Sequence, residues 1–246
     1  MRTLSPLAAL VLLTLAAAPV AAQVAPGAAA PPLEGVALER LPEADRVELA
    51  TVTGDPTVDA TVSGEVRASP RVYRFLLTRL PFAARAIEAL QLSTAGRYVV
   101  DDQGQGRFTI DDTAGAYARC TRPWDEDGHA VVVARGHLDV PLLPRVLGTG
   151  VIVTRWSPSP DDPGLLRASC RVLFRLGSRL LHALTAPVRE LLTRALTDKL
   201  ALLVRSATLL AEAVERDPWA ALEAVERAGT ASAADLQAYR EALLLH

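Results

Sequence analysis

Lys199 is the only lysine in a chain that otherwise draws its positive charge from arginine, and it stands inside an apolar run. The uninterrupted stretch from Ala186 to Arg216 predicts one helix, roughly 45 Å long at 1.5 Å per residue. At 100° per residue, Val188, Leu192, Ala195, Leu196, Leu203, Ala207, Leu210 and Val214 share one broad arc,. Arg194, Asp198, Arg205, Glu212, Glu215 and Arg216 oppose it. Lys199 projects from near the middle of the apolar arc, where an ammonium needs a partner. That partner is a ligand carboxylate or phosphate, an internal carboxylate, or solvent reached by snorkelling.

The remaining reactive side chains are sparse. His129 and His137 lie eight apart on one predicted strand, with Asp139 beyond. That spacing separates them by about 25 Å, too far for one ion, so no metal site is expected. His182 and His246 have no partner in the pattern. No G-x-S-x-G nucleophile turn occurs. The glycines at 104, 106, 148 and 150 lack the lysine and helix start of a phosphate loop; G-T-G at 148 to 150 instead starts a strand. No cofactor is expected. Among the few aromatics, Tyr117 and Trp156 are candidates to line a cavity, with ordinary core packing as the alternative. Cys120 and Cys170 admit two readings, a disulfide if the chain is exported or two buried thiols on inward strand positions.

These residues need a scaffold, and periodicity supplies one. Thr57 to Ala68 alternates as a half-buried strand, with Val58, Ala60, Val62 and Val66 on one face,. Ser69-Pro70 then caps a helix to about Leu80, and Phe82 to Leu92 makes a second short helix. From Gly96 to Leu176 the period is two. Strands are predicted near 97–101, 106–111, 116–122, 129–139, 150–157 and 166–176, separated by Gly-, Asp- and Pro-rich turns. Val140 to Pro144 is an apolar loop, either a lip that touches a membrane surface or a segment buried under the last helices. Ser178 to Leu184 reads as a helical lead-in to the long helix, with Thr185 as its N-cap. Two short helices, Pro218 to Arg227 and Ala233 to Leu245, close the chain, with Gly229 between them.

The chain has 246 residues, half of them apolar, a net charge of −2 and a pI near 6.1. That is enough for one domain with a large core and gives no electrostatic footprint for nucleic acid. Residues 1–22 have the pattern of a cleaved signal peptide: Arg2, an apolar Leu4 to Ala18, Pro19, then small residues before Gln23. The expected location is therefore periplasmic or secreted. Residues 23–56 comprise an Ala/Pro-rich tether and an ambiguous segment in which Arg46 to Val52 could be an edge strand. The main domain is expected at 57–217, with a helical extension at 218–246.

The order of strand, two short helices, about six antiparallel strands and one long helix resembles the START-like helix-grip superfamily, also called SRPBCC type. The residues that carry the resemblance are E-V-R-A-S-P-R-V-Y-R-F-L-L at 65 to 77 and the terminal helix after Phe174-Arg175. It covers roughly Thr57 to Asp217. The resemblance implies an α+β fold in which a curved antiparallel sheet of six or seven strands grips the long helix. It also implies a cavity between them for lipids, polyketides or other apolar molecules, lined here by Leu192, Leu196, Lys199 and Leu203 with Tyr117 and Trp156. The expected function is binding of a hydrophobic or lipid-like ligand. The alternatives are a structural or partner-binding module with a filled core, and an enzyme of cyclase type.

Overall fold

The computed structural model describes residues 22–23, 33–92, 98–126, 128–140, 143, 145–162, 164–177 and 186–244. Most of the signal-peptide and tether segments, the lead-in at 178–184, the Thr185 cap, Leu142 and His246 lie outside the described residues.

The fold is α+β. Eight strands form one antiparallel sheet: β1 (Ala22–Gln23), β2 (Val58–Val66), β3 (Val99–Gly104), β4 (Arg107–Asp111), β5 (Ala116–Glu126), β6 (His129–Leu138), β7 (Val146–Pro158) and β8 (Leu166–Leu176). Their order across the sheet is β1-β2-β8-β7-β6-β5-β4-β3. Apart from β2, every long strand pairs with its sequence neighbour, as short turns dictate. β2 lies beside β8, and the crossover from β2 to β3 carries α2 (Pro70–Thr78) and α3 (Leu80–Ala89). The long helix α4 spans Ala186–Arg216, and α5 (Pro218–Ala228) and α6 (Ala233–Leu243) follow.

The local signals work as the residue types predict. The Ser69 hydroxyl accepts from Val72 N at 3.4 Å and donates to Glu215 Oε2 at 2.8 Å, so one cap starts α2 and ties it to the end of α4,. Asp217 accepts from Ala220 N at 2.9 Å to start α5, and Gly229 ends it at φ +65°,. Helices α2, α3, α5, α6 and the end of α4 share one apolar cluster around Phe75, Phe82, Leu210 and Tyr239, closed over Val66, Leu166 and Ala168. The Tyr239 hydroxyl, on a buried ring, donates to Pro218 O at 2.8 Å.

Two elements differ from the sequence reading. The segment proposed as an edge strand is a helix, α1 (Glu43–Gly54). It lays Leu49 and Val52, three residues apart, on the sheet's outer face against Val131, Val133, Val151, Val153 and Leu173. The outer face is thus covered over that part of β6 to β8. β5 also runs past Arg122 to Glu126, because a register shift between Thr121 and Trp124 accommodates Pro123,.

Candidate functional site

The site is built from the inner faces of β5, β6 and β7 and the flank of α4. Strand alternation and register place Ile110, Ala118, Gly136 and Gly148 in one row across the sheet,. Phe108, Cys120, Ala134, Gly150 and Phe174 form the next. The middle of both rows is made of alanine and glycine. The outcome is an inner-face band of small residues, called the trough below, between Leu138, Val146 and Leu176 at one end and Val132, Ile152 and Val172 at the other; Leu80 and Ala84 of α3 pack against part of it. Ile110, Ala118, Ala134 and Ile152 remain half-buried although they point inward from the middle of the sheet.

Helix α4 does not seal this trough, because it lies over β2 and β8. Leu192 and Leu200 are buried there among Val58, Ala60, Val172 and Phe174. The buried stripe of its first half passes through Leu192, Thr197 and Leu200. It is turned by roughly half a quadrant from the arc expected through Leu196 and Leu203. Those two residues are half-buried at the edge of the stripe. Lys199 lies between them and crosses to the far side of the trough.

Lys199 Nζ donates to Asp112 Oδ2, in the turn between β4 and β5. The other oxygen of Asp112 accepts from Ala114 N at 2.9 Å and Ala116 N at 2.7 Å. Burial alone would raise this carboxyl; the Lys199 hydrogen bond and the two backbone donors outweigh it and hold Asp112 below the usual carboxylate range,. Of the three partners open to Lys199, the structure thus supplies an internal carboxylate. Burial, and secondarily the Asp112 charge, raise Tyr98 beside it.

The other expected lining residues are placed elsewhere. Tyr117 is on the outer face, stacked on His137 with ring centroids 5.9 Å apart. Trp156 is inward but beneath α2, edge-on to Tyr73 at 5.7 Å. Leu192 is core. Cys120 and Cys170 are buried free thiols on β5 and β8, with β6 and β7 between them, so no disulfide links them. His129 and His137 are eight residues apart on β6, and no group of three or more metal-ligating side chains occurs among the described residues. No helix among those residues is long and apolar enough to cross a membrane. Sequence reasoning missed Asp112 and Tyr98, and it read the glycines of β7 only as a strand start.

No protein-family model matches the sequence, and no curated protein matches it. Among solved structures the chain is similar to Ara h 8.0201, with 9% identity over 62% of this chain and 97% of that chain and a TM-score of 0.39. It is similar to apo dicamba monooxygenase, with 12% identity, 77% and 59% coverage and a TM-score of 0.37. A third is the di-domain ARO/CYC BexL from the BE-7585A biosynthetic pathway, with 17% identity, 70% and 53% coverage and a TM-score of 0.30. The chain spans just over half the length of the latter two. These likenesses are loose; the helix-grip architecture rests on the element order and sheet register of the chain itself.

Proposed function

We propose that this chain binds a hydrophobic, lipid-like molecule in the trough between α4 and the inner faces of β5 to β7, and that it does so as an exported protein. The observation that carries the binding reading is that Ala118, Ala134, Gly136 and Gly148 stay half-buried on the inner face while the buried side chains of α4's first half pack on β2 and β8. Apolar surface turned inward yet still wet gains free energy when an apolar ligand covers it, at about 25 cal/mol per Å². Leu196 and Leu203 flank the trough from the helix. The Lys199–Asp112 pair bounds it and offers polar atoms to the ligand's polar end. The export reading rests on the N-terminal segment alone.

A second reading has its own support. A Cβ at Gly148 would come within 2.3 Å of the Phe174 ring, so Phe174 already fills part of the floor. Trp219 on α5 is 63% exposed. Both fit a module with a filled core that contacts a partner through its last helices. A cyclase-type enzyme is the weakest reading, because Lys199 and Asp112 satisfy each other.

The test is uptake of a neutral apolar fluorophore, N-phenyl-1-naphthylamine, by the full chain and by Ala118→Leu and Ala134→Leu, which add bulk to the floor. Saturable uptake by the parent, reduced about tenfold or more in both variants, supports the trough. No uptake by the parent sinks it and favours the filled module. Export is tested separately, by sequencing the N-terminus of the protein recovered outside the cytoplasm; an intact Met1 would overturn it.

A further inference from the structure

The outer face of the sheet carries Arg175, whose Nε finds no hydrogen-bond acceptor among the described residues. Arg175 on β8 is paired in register with Thr149 on β7, and Thr149 with Arg135 on β6. All three line an open cleft of about 460 Å³ beneath α1, together with Val47, Thr51 and Leu176. Arg135 is taken, since it forms a two-point ion pair with Glu48 of α1. Arg175 Nε is buried and meets no hydrogen-bond acceptor among the described residues. That nitrogen forfeits hydration without recovering it, which native structures rarely leave uncompensated.

Among the described residues the one carboxylate that lines the cleft, Glu48, is held by Arg135. Arg135, Arg175 and Glu48 leave the cleft with one net positive charge.

The cleft's rim is apolar. Val47 and Leu147 are 61% and 59% exposed, two of the five large hydrophobic side chains the described residues leave exposed. Leu147 is fixed beside the cleft because its carbonyl accepts from Gly177 N at 3.0 Å, and Gly177 is part of the lining.

We propose that this cleft binds an amphiphilic anion, a carboxylate or phosphate ester with an alkyl arm. Its head sits on the Arg175 guanidinium and its arm lies across Val47 and Leu147. The fork of a guanidinium matches a carboxylate or phosphate in two-point contact. This site is on the opposite face of the sheet from the trough and does not depend on it.

The experiment is titration calorimetry on the full chain with decanoate, decyl phosphate, decanol and inorganic phosphate. In Ala134→Leu, whose trough is filled, decanoate and decyl phosphate bind once per chain, while decanol and inorganic phosphate bind about tenfold or more weaker. Arg175→Gln weakens decanoate by about tenfold or more. Arg175→Lys, which keeps the charge but not the fork, falls between, and it decides the matter if Arg175→Gln does not fold. A further binding event in the parent chain that Ala134→Leu lacks belongs to the trough. Unaltered decanoate affinity in the folded Arg175 variants overturns the site. Loss of decanoate binding in Ala134→Leu overturns it too, by placing the anion in the trough. Inorganic phosphate matching decyl phosphate overturns the role of Val47 and Leu147.

Discussion

Lys199 and Asp112, 87 residues apart in the chain, join the free side of the long helix to the β4–β5 turn across the mouth of the trough. The Asp112 side chain is 11% exposed and that of Lys199 31%. Removing the lysine leaves a buried carboxylate with only two backbone donors. Lys199→Leu is therefore expected to destabilise the chain by about 1–3 kcal/mol, read from the urea midpoint. The depressed Asp112 carboxyl contributes stability that is fully present above its unfolded value, about 3.9, and is lost as pH falls through its lower folded value,. Acid titration should show this loss only below about pH 4. In Asp112→Asn, stability at pH 7 should drop and that acid-dependent component should vanish. An acid limb identical to the parent's would show that the pair contributes nothing.

Two inner-face glycines near the trough floor have opposite tolerances. A Cβ on Gly136 would lie 1.9 Å from the Tyr117 carbonyl oxygen, whereas one on Gly150 meets nothing nearer than 3.8 Å. The first approach is backbone against backbone and is set by the tight coil of β5 on β6, so it cannot relax by a side-chain rotation. Gly136→Ala should cost about 2 kcal/mol or more, by the same mechanism as overpacking. Gly150→Ala should be near neutral, because a strand glycine gains order when a Cβ fits. Equal urea midpoints for the two variants would contradict this geometry.

The thiols should be inert. Burial pushes Cys120 up to about 12. Burial also pushes Cys170 up, to about 11, although a 3.7 Å hydrogen bond from Thr154 Oγ1 opposes the rise. Little thiolate forms at neutral pH, and thiolate is the reactive form. Native protein should resist iodoacetamide at pH 8, and unfolding without reductant should expose two titratable thiols. Finding none in the unfolded, unreduced chain would mean that a disulfide forms after all.

The sequence showed the helix-grip order plainly because each element carries a strong periodic signal. The span from Ala186 to Arg216 has no internal breaker, and both of its limits match the observed helix. What stayed hidden depends on phase and placement. Tyr117 and Cys120 are three apart on one strand, so an inward cysteine requires an outward tyrosine; that parity is present in the sequence, and it sets Tyr117 as a cavity candidate against the inward reading of Cys120. The rotation of α4 and the identity of Asp112 as the partner of Lys199 depend on which strands the helix crosses, which no local pattern encodes. That Arg175 Nε finds no acceptor among the described residues is likewise tertiary.

Helix α1 gives the sharpest contrast between the sequence reading and the structure. The run Arg46 to Val52, with β-branched Val47, Thr51 and Val52, reads as a candidate edge strand,. In a strand Val47, Leu49 and Thr51 would share one face, so Val47 and Leu49 would be buried or exposed together. In the helix they separate: Leu49 is fully buried against Val151 and Leu173, while Val47 is 61% exposed. Leu49→Ala should therefore cost about 2–5 kcal/mol through the cavity it leaves, and Val47→Ala should stay within about 0.5 kcal/mol. Urea unfolding of the two variants measures the difference. Comparable losses would return this segment to a strand and uncover the outer face of the sheet, taking with it the cleft in which Arg175 stands.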